Sequence, residues 1–247
     1  GDQAMNERIR HQFAIIRDSG HPIPQGASIL DFGCGAGNAV RAMREAGYDA
    51  FGCDVKLHDD EAGLDMRENG ILRPISMAPY RVPFDDNKFD VLISNEVFEH
   101  VQDYDTAIRE VHRLLKPGGI SLHLFPARWM PVEPHVKVPL ATFFRPKWWL
   151  SLWATMGLRN PHQKNLSARE VANKNYDYLR TCTNYLPADA ILSHFRTHFH
   201  DVRFVEDIFL RHAASPKARM LHHMLQVFPP LRGIYSACWS RVVVAIK

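Results

Sequence analysis

Apolar positions along this chain come in two rhythms. In NERIRHQFAIIRD, Ile9, Phe13 and Ile16 recur at helical spacing, which predicts an amphipathic helix over residues 6–18. Glycine and proline between Ser19 and Gln25 break it. SILDFG then reads as a buried strand running into a glycine turn. AVRAMREAGY reads as a helix stopped at Gly47, and DAFGCDV as a second strand. DDEAGLDMREN is polar and weakly helical, and a short third strand is expected at Ile75 to Ala78. KFDVLIS is a continuous apolar strand set off by the turn PFDDN. TAIREVHRLL predicts a helix that Pro117 and Gly118 stop, and ISLHLF another buried strand.

Strand and helix therefore alternate from about residue 28 to residue 126. That alternation predicts an α/β fold, a doubly wound and mostly parallel sheet with helices on both faces. Right-handed crossovers place the C-terminal ends of its strands along one edge, where ligands bind. Residues 127–180 break the rhythm, with four of the five tryptophans (Trp129, Trp148, Trp149, Trp153) and five prolines. The rhythm resumes with the helix NYLPADAILSHFRTHF and the strand HDVRFVED. A partly helical stretch, PKARMLHHMLQVFPPLRGIYSAC, and a closing strand, WSRVVVAIK, follow. The expected organisation is an N-terminal helical segment (1–26), an α/β core (27–126 and 185–247) and a mainly helical, aromatic-rich cap inserted at 127–184.

Composition adds bounds. With 247 residues, 46% hydrophobic and 23% charged, the chain is of ordinary globular type. No apolar run approaches the roughly 18 residues of a membrane helix. Cys34, Cys53, Cys182 and Cys238 show no paired spacing, which points to free buried thiols and a cytoplasmic setting. Charge is split: residues 1–125 hold 13 Lys+Arg against 20 Asp+Glu, and residues 126–247 hold 17 against 7. The basic half is most simply a solvated face; its sharper reading is a surface for an anionic, carrier-linked acceptor.

The glycine loop carries the chemistry. It reads Asp31-Phe32-Gly33-Cys34-Gly35-Ala36-Gly37-Asn38. A dinucleotide fingerprint starting at Gly33 needs glycine where Asn38 stands, and a phosphate loop needs a Lys-Ser/Thr that does not follow. An acid two residues before the glycines suits an ammonium group and repels pyrophosphate. A ligand with an amino-acid end and a nucleoside end fits best.

The spacing Asp31-x-Gly33-x-Gly35-x-Gly37 resembles the first motif of the class I S-adenosylmethionine-dependent methyltransferases. Asp54, ending FGCDV, matches that family's ribose-binding acid. RVPFDDNKFDVLISNEVFEHVQD and LLKPGGISLHLF resemble its fourth- and fifth-strand regions. The resemblance covers residues 28–126 strongly and WSRVVVAIK weakly. It implies a seven-stranded Rossmann-like sheet and S-adenosyl-L-methionine as cofactor. It also implies cofactor contacts at Asp31, Phe32, Gly33, Cys34, Gly35, Gly37, Asp54, Val55, Met77, Ala78, Ser94 and Asn95. One departure is Ala78, which stands where the family often has an acid for the adenine amino group; backbone groups of Met77 and Ala78 are left to read that edge. The N-terminal helix is expected to close over the cofactor, as in relatives.

The implied activity is methyl transfer to a small-molecule or carrier-linked acceptor, at oxygen in the favoured reading. A hydroxyl acceptor benefits from a base, and histidine titrates in the useful range. His100, in NEVFEHV, and His135, in PVEPH, follow the fourth and fifth strands and are the candidates, with Glu99 and Glu133 beside them as orienters. With 14 histidines in the chain, most are incidental, and no metal site is expected. Ser94-Asn95-Glu96-Val97 lacks the Asn/Asp-Pro-Pro-Tyr/Phe pattern of enzymes acting on planar amino groups in nucleic acids, which disfavours a nucleic-acid partner. The cap holds VPLATFFRPKWWLSLWATMGL. Its aromatics are expected to form their own core; the alternatives are a lipid- or sugar-carrier site in which Arg145 and Lys147 meet phosphate, with peripheral membrane contact, or an aromatic-lined small-molecule pocket. The oligomeric state has no signature. The rivals to the lead are a non-catalytic S-adenosylmethionine-binding sensor or scaffold, an N- or C-methyltransferase on another small acceptor, and aminopropyl transfer on the same scaffold, which the basic half disfavours.

Overall fold

The computed structural model describes residues 6–57, 61–213, 216–228 and 230–247. Gly1 to Met5, at the head of the segment 1–26, lie outside the described residues, as do Asp59 and Asp60 of DDEAGLDMREN and Pro229 of the partly helical stretch.

The N-terminal helix α1 (Glu7–Asp18) begins where the Asn6 side chain accepts the Ile9 amide, and it buries Ile9, Gln12, Ile15 and Ile16. Strand β1 (Ser28–Phe32) leads through the glycine loop into α2 (Asn38–Glu45), then β2 (Asp49–Asp54), α3 (Glu61–Glu68) and β3 (Leu72–Pro74). A two-stranded hairpin follows, β4 (Ser76–Met77) and β5 (Tyr80–Arg81). Next come β6 (Phe89–Asn95), α4 (Tyr104–Leu114) and β7 (Leu115–Pro126). The segment 127–184, expected from the sequence to be a cap, contributes α5 (Lys147–Thr155) and α6 (Ala168–Thr181). The chain returns through α7 (Ala188–Arg196), β8 (Asp201–Phe204), α8 (Glu206–Arg211), α9 (Pro216–Val227), α10 (Pro230–Cys238) and β9 (Ser240–Ile246).

Seven strands form one sheet in the order β3-β2-β1-β6-β7-β9-β8, and β9 is antiparallel to both neighbours. The other pairs are parallel, so the expected doubly wound, mostly parallel sheet is what the chain builds. The reason is visible residue by residue. Along β6, Val91 and Ile93 enter the core on one face, while Phe89 and Leu92 enter the core on the other. Along β9, Val242, Val244 and Ile246 alternate in the same way with Val243 and Ala245. Each such side chain contributes about 1.5–3 kcal/mol when fully buried.

Two expected boundaries move. The third strand is Leu72–Pro74 rather than Ile75 to Ala78. The parallel register pairs Gly52 with Leu72 and Asp54 with Pro74, so pairing runs out where β2 ends; Ser76 and Met77 instead pair with Arg81 and Tyr80 in the hairpin. The helix α4 ends at Leu114, before Pro117 and Gly118, because Leu115 is already extended and in register with Phe89. The thiols also differ from expectation: Cys34 and Cys53 are buried, but Cys182 is exposed and Cys238 half-buried.

The segment after β7 holds a small apolar core of its own, formed by Val136, Val138, Ala141, Leu150, Ala172 and Leu179. Trp149 and Trp153 pack against it, while Trp129 and Trp148 stay exposed. No helix among the described residues is long and apolar enough to cross a membrane.

Candidate active site

The loop between β1 and α2 needs glycine for backbone reasons at three points. Gly33, Gly35 and Gly37 have φ of 86°, 54° and 78°, in the left-handed region. Packing adds a second reason at two of them. A Cβ on Gly33 would lie 2.2 Å from Val97 Cγ2, and one on Gly37 would lie 2.7 Å from Leu72 Cδ1. These glycines admit neighbouring side chains, so Gly37 serves packing rather than close approach of a ligand. The loop is held open by Asp54: its Oδ2 accepts the Gly35 amide at 2.8 Å, and its Oδ1 accepts the Lys56 amide at 3.0 Å.

Beside this loop, at the C-terminal edge of the sheet, lies a cavity of about 780 Å³. Phe32, Gly33, Asp54, Val55, Met77 and His100 line it, all of them singled out from the sequence. Ile75, Tyr80, Val97 and Thr106 join them unforeseen. Ile75 lies between β3 and the hairpin, Tyr80 on the hairpin, Val97 in the segment after β6 and Thr106 on α4. The turn RVPF is fixed on α4, where Glu110 accepts the Val82 amide at 2.8 Å and Arg113 donates to the Val82 and Phe84 carbonyls.

The remaining sequence-chosen residues stand off this wall. Asp31 is buried, and loss of solvent raises its pKa to about 6, against the opposing pull of Arg8 on α1. Cys34 is buried beside Gly52, and burial pushes its thiol well above the usual range. Gly35 and Gly37 shape the loop from behind. Ala78 is an exposed turn residue of the hairpin. Ser94 is fully buried with its hydroxyl 2.7 Å from His123 Nδ1, which commits it to the interior; Asn95 is half-buried at the end of β6.

The two candidate histidines meet. His100 lies on the cavity wall, and His135 lines a second cavity of about 450 Å³ with Asn160, Lys174 and Tyr178. Their ring centroids are 4.8 Å apart. Glu133 orients His135 as expected. It is fully buried, its Oε1 accepts His135 Nδ1 at 2.8 Å and the Tyr185 hydroxyl at 2.6 Å, and its Oε2 accepts the amides of His135 and Val136. Burial opposes charge on both members. The mutual hydrogen bond and charge outweigh it, so the Glu133 pKa falls and the His135 pKa rises. Glu99 does not orient His100 in the expected way. His100 Nδ1 donates to the Cys182 carbonyl at 2.6 Å, and Glu99 Oε1 lies 4.0 Å from His100 Nε2. The Asn184 amide donates to the Glu99 carbonyl and the Asn184 side chain to the Val101 carbonyl, which ties the end of the cap to the segment after β6. Neither Cys182 nor Asn184 carries a sequence signal, since each acts on a partner distant in the chain.

Residues 30–122 match the family described as a methyltransferase domain. That match and the seven-stranded sheet make residues 30–122 similar to a class I S-adenosylmethionine-dependent methyltransferase domain. The chain is 36% identical over 131 residues to a ubiquinone biosynthesis O-methyltransferase from Cereibacter sphaeroides, a match covering 48% of this chain and 48% of that protein. It is 34% identical over 117 residues to the protein of the same name from Pelagibacter ubique, covering 47% and 48%. The chain thus spans about half the length of the curated relatives it matches. Among solved structures, an S-adenosylmethionine-dependent methyltransferase from Mesorhizobium loti superposes with a TM-score of 0.53 at 16% identity, covering 96% of this chain and 98% of that one. The YcgJ protein from Bacillus subtilis gives 0.53 at 15% identity with the same coverage. At such identities the structural likeness speaks for the fold.

Proposed function

We propose that this protein is an S-adenosylmethionine-dependent methyltransferase that methylates an oxygen of a small-molecule acceptor. The observation that carries the proposal is one shared cavity. The glycine loop, the acid ending β2 and a histidine after β6 all line the same 780 Å³ space. Such a volume suits a nucleoside-sized ligand.

The residues present fit the cofactor. Phe32, Val55, Ile75, Met77 and Val97 offer the apolar walls an adenine needs. Asp54 uses one lone pair on each oxygen for an amide and keeps others for two ribose hydroxyls. Asp31 is a buried carboxylate whose desolvation an ammonium group offsets. Cys34, Gly35 and Gly37 hold the loop in shape; the backbone at Met77 and Ala78 is assigned to the adenine edge, and Asn95 to the far end of the cavity. Ser94 supports the site from within the sheet. Helix α1, whose Arg8 acts on Asp31, is assigned to close over the cofactor.

When bound, S-adenosylmethionine supplies an electrophilic methyl on a sulfonium sulfur. The protein's work is to place the acceptor in line, exclude water and remove the hydroxyl proton. His100 and His135 stand between the two cavities, and we assign them to that deprotonation. The cap, 127–184, is assigned to acceptor choice, with Lys174 and Tyr178 on the second cavity. The oxygen acceptor follows the name of the curated relatives, ubiquinone biosynthesis O-methyltransferase, and a ubiquinone precursor is the first acceptor to test. A carrier-linked acceptor would meet its anion at Lys174 rather than Arg145, because Arg145 donates to the carbonyls of Ala141, Thr142 and Leu179 within the cap.

The test is transfer of a labelled methyl group from S-adenosylmethionine to a panel of phenolic and catecholic acceptors. Activity that vanishes in Asp54→Ala is expected. Activity unchanged in that variant would show the cofactor to bind elsewhere.

A further inference from the structure

We propose that Glu99, His100 and His135 bind a divalent transition-metal ion of the zinc type. Its open position takes the acceptor's hydroxyl oxygen. The role assigned to the ion rests on the methyl-transfer reading; the binding does not.

Three observations converge. One nitrogen from each histidine and one Glu99 oxygen lie within 4.8 Å of one another. Both histidines have their Nδ1 occupied by an oxygen, the Cys182 carbonyl for His100 and the Glu133 carboxylate for His135. A carbonyl only accepts, so Nδ1 of His100 carries the proton and Nε2 keeps a lone pair. Glu133 selects the same tautomer in neutral His135. Metal-binding histidines are held in this way, with the second nitrogen donating to a carboxylate or a carbonyl. The third observation is Glu99. Its side chain is fully buried, and neither carboxylate oxygen has a hydrogen-bond partner from another residue. A buried carboxylate without partners is costly unless a proton or a cation meets it.

The donor set decides the kind of ion. Two imidazoles and one carboxylate are the ligands of catalytic zinc and of related first-row ions, whereas magnesium and calcium prefer oxygen alone. Ligand bonds of about 2.0–2.2 Å place tetrahedral donors about 3.4 Å apart, so the group must contract by roughly an ångström. His100 and His135 are only half-buried, which leaves their side chains room to turn.

Three protein ligands leave a position for the acceptor oxygen. Coordination lowers the pKa of the bound hydroxyl, and its proton leaves to solvent water. The oxygen lone pair then forms the new O–C bond while the C–S bond breaks, and that electron pair stays on sulfur. His100 and His135 act here as ligands, which specifies how they promote deprotonation. No ligand spacing announces the metal, because the ligands come from the segment after β6 and the segment after β7, and only the fold joins them.

The experiment is a titration of chelator-stripped full-length protein with Co2+, followed by visible absorption, with Zn2+ competition by calorimetry. One equivalent of Co2+ is expected to give a ligand-field band that Zn2+ removes. His135→Ala and Glu99→Gln should each abolish it. Glu133→Gln, which removes the orienting charge but keeps the side chain's shape, should weaken affinity about 10- to 100-fold. S-adenosylmethionine binding, measured on every variant, reports that the fold is kept. Absence of the band in the intact protein, or its survival in folded His135→Ala, overturns the proposal. A protein that binds Co2+ in this way but not S-adenosylmethionine would keep the metal site and refute the methyltransferase reading.

Discussion

The glycine loop and the histidine pair sit at the same edge of the sheet but are built differently. The loop is local: Asp31 to Gly37, with Asp54 one turn of the fold later, contain nearly everything that shapes it. The histidine pair is assembled from three distant segments, held by Glu133, Tyr185 and the carbonyl of Cys182. The local site is written as a motif, and the assembled one is written as hydrogen bonds that no spacing announces. Under the proposed function the contrast is also one of labour, with donor binding proposed for the loop and acceptor chemistry for the pair.

The severest disturbance is expected at Glu133. Glu133→Ala strips a fully buried carboxylate from two side-chain and two backbone donors and leaves them unpaired. The expected loss is about 3–5 kcal/mol of stability in chemical denaturation. The folded fraction should still bind S-adenosylmethionine. If that affinity collapses too, the two regions are one unit.

Gly33→Ala attacks the other side. It combines a left-handed φ with a Cβ placed 2.2 Å from Val97 Cγ2. A loss of about 2–3 kcal/mol is expected, with cofactor affinity falling alongside. Val97→Ala added to it should recover part of the stability, because it removes the clashing atom. A double variant no more stable than Gly33→Ala alone would locate the cost in the backbone only.

Legibility in the sequence follows the same division. The strands alternate apolar residues on two faces, so the doubly wound sheet was readable, and the glycine loop with the end of β2 named four residues of the cavity wall, Phe32, Gly33, Asp54 and Val55. The third strand was misplaced because its register depends on β2, and the stop of α4 because Leu115 pairs with Phe89 rather than continuing the helix. His100 and His135 were readable as candidates, but their contact was not. Nor was Ser94's commitment to His123, which needs β6 and β7 side by side.

A pH series sharpens the donor side. Burial raises the Asp31 pKa to about 6. Above that pH the ionised carboxylate can pair with an ammonium group; below it the neutral acid cannot. Affinity for S-adenosylmethionine should therefore be level near pH 7–8 and fall as pH drops through 6, and Asp31→Asn should be weaker and flat. The unliganded protein should respond with the opposite sign. A folded-state pKa above the unfolded value of 3.8 means that ionising Asp31 removes stability as pH rises from about 4 to 6. The smallest effect is expected outside both regions. His194→Ala removes a surface pair with Asp105 and should change stability by less than about 1 kcal/mol and neither site's binding.

The central claim is that the glycine-loop cavity holds the methyl donor independently of the histidine pair. Calorimetry with S-adenosylhomocysteine on the intact protein, Asp54→Ala and His135→Ala tests it most directly. One site of sub-millimolar affinity is expected in the intact protein and in His135→Ala, and its loss in Asp54→Ala. No binding to the intact protein, or binding that Asp54→Ala leaves unchanged, would contradict it.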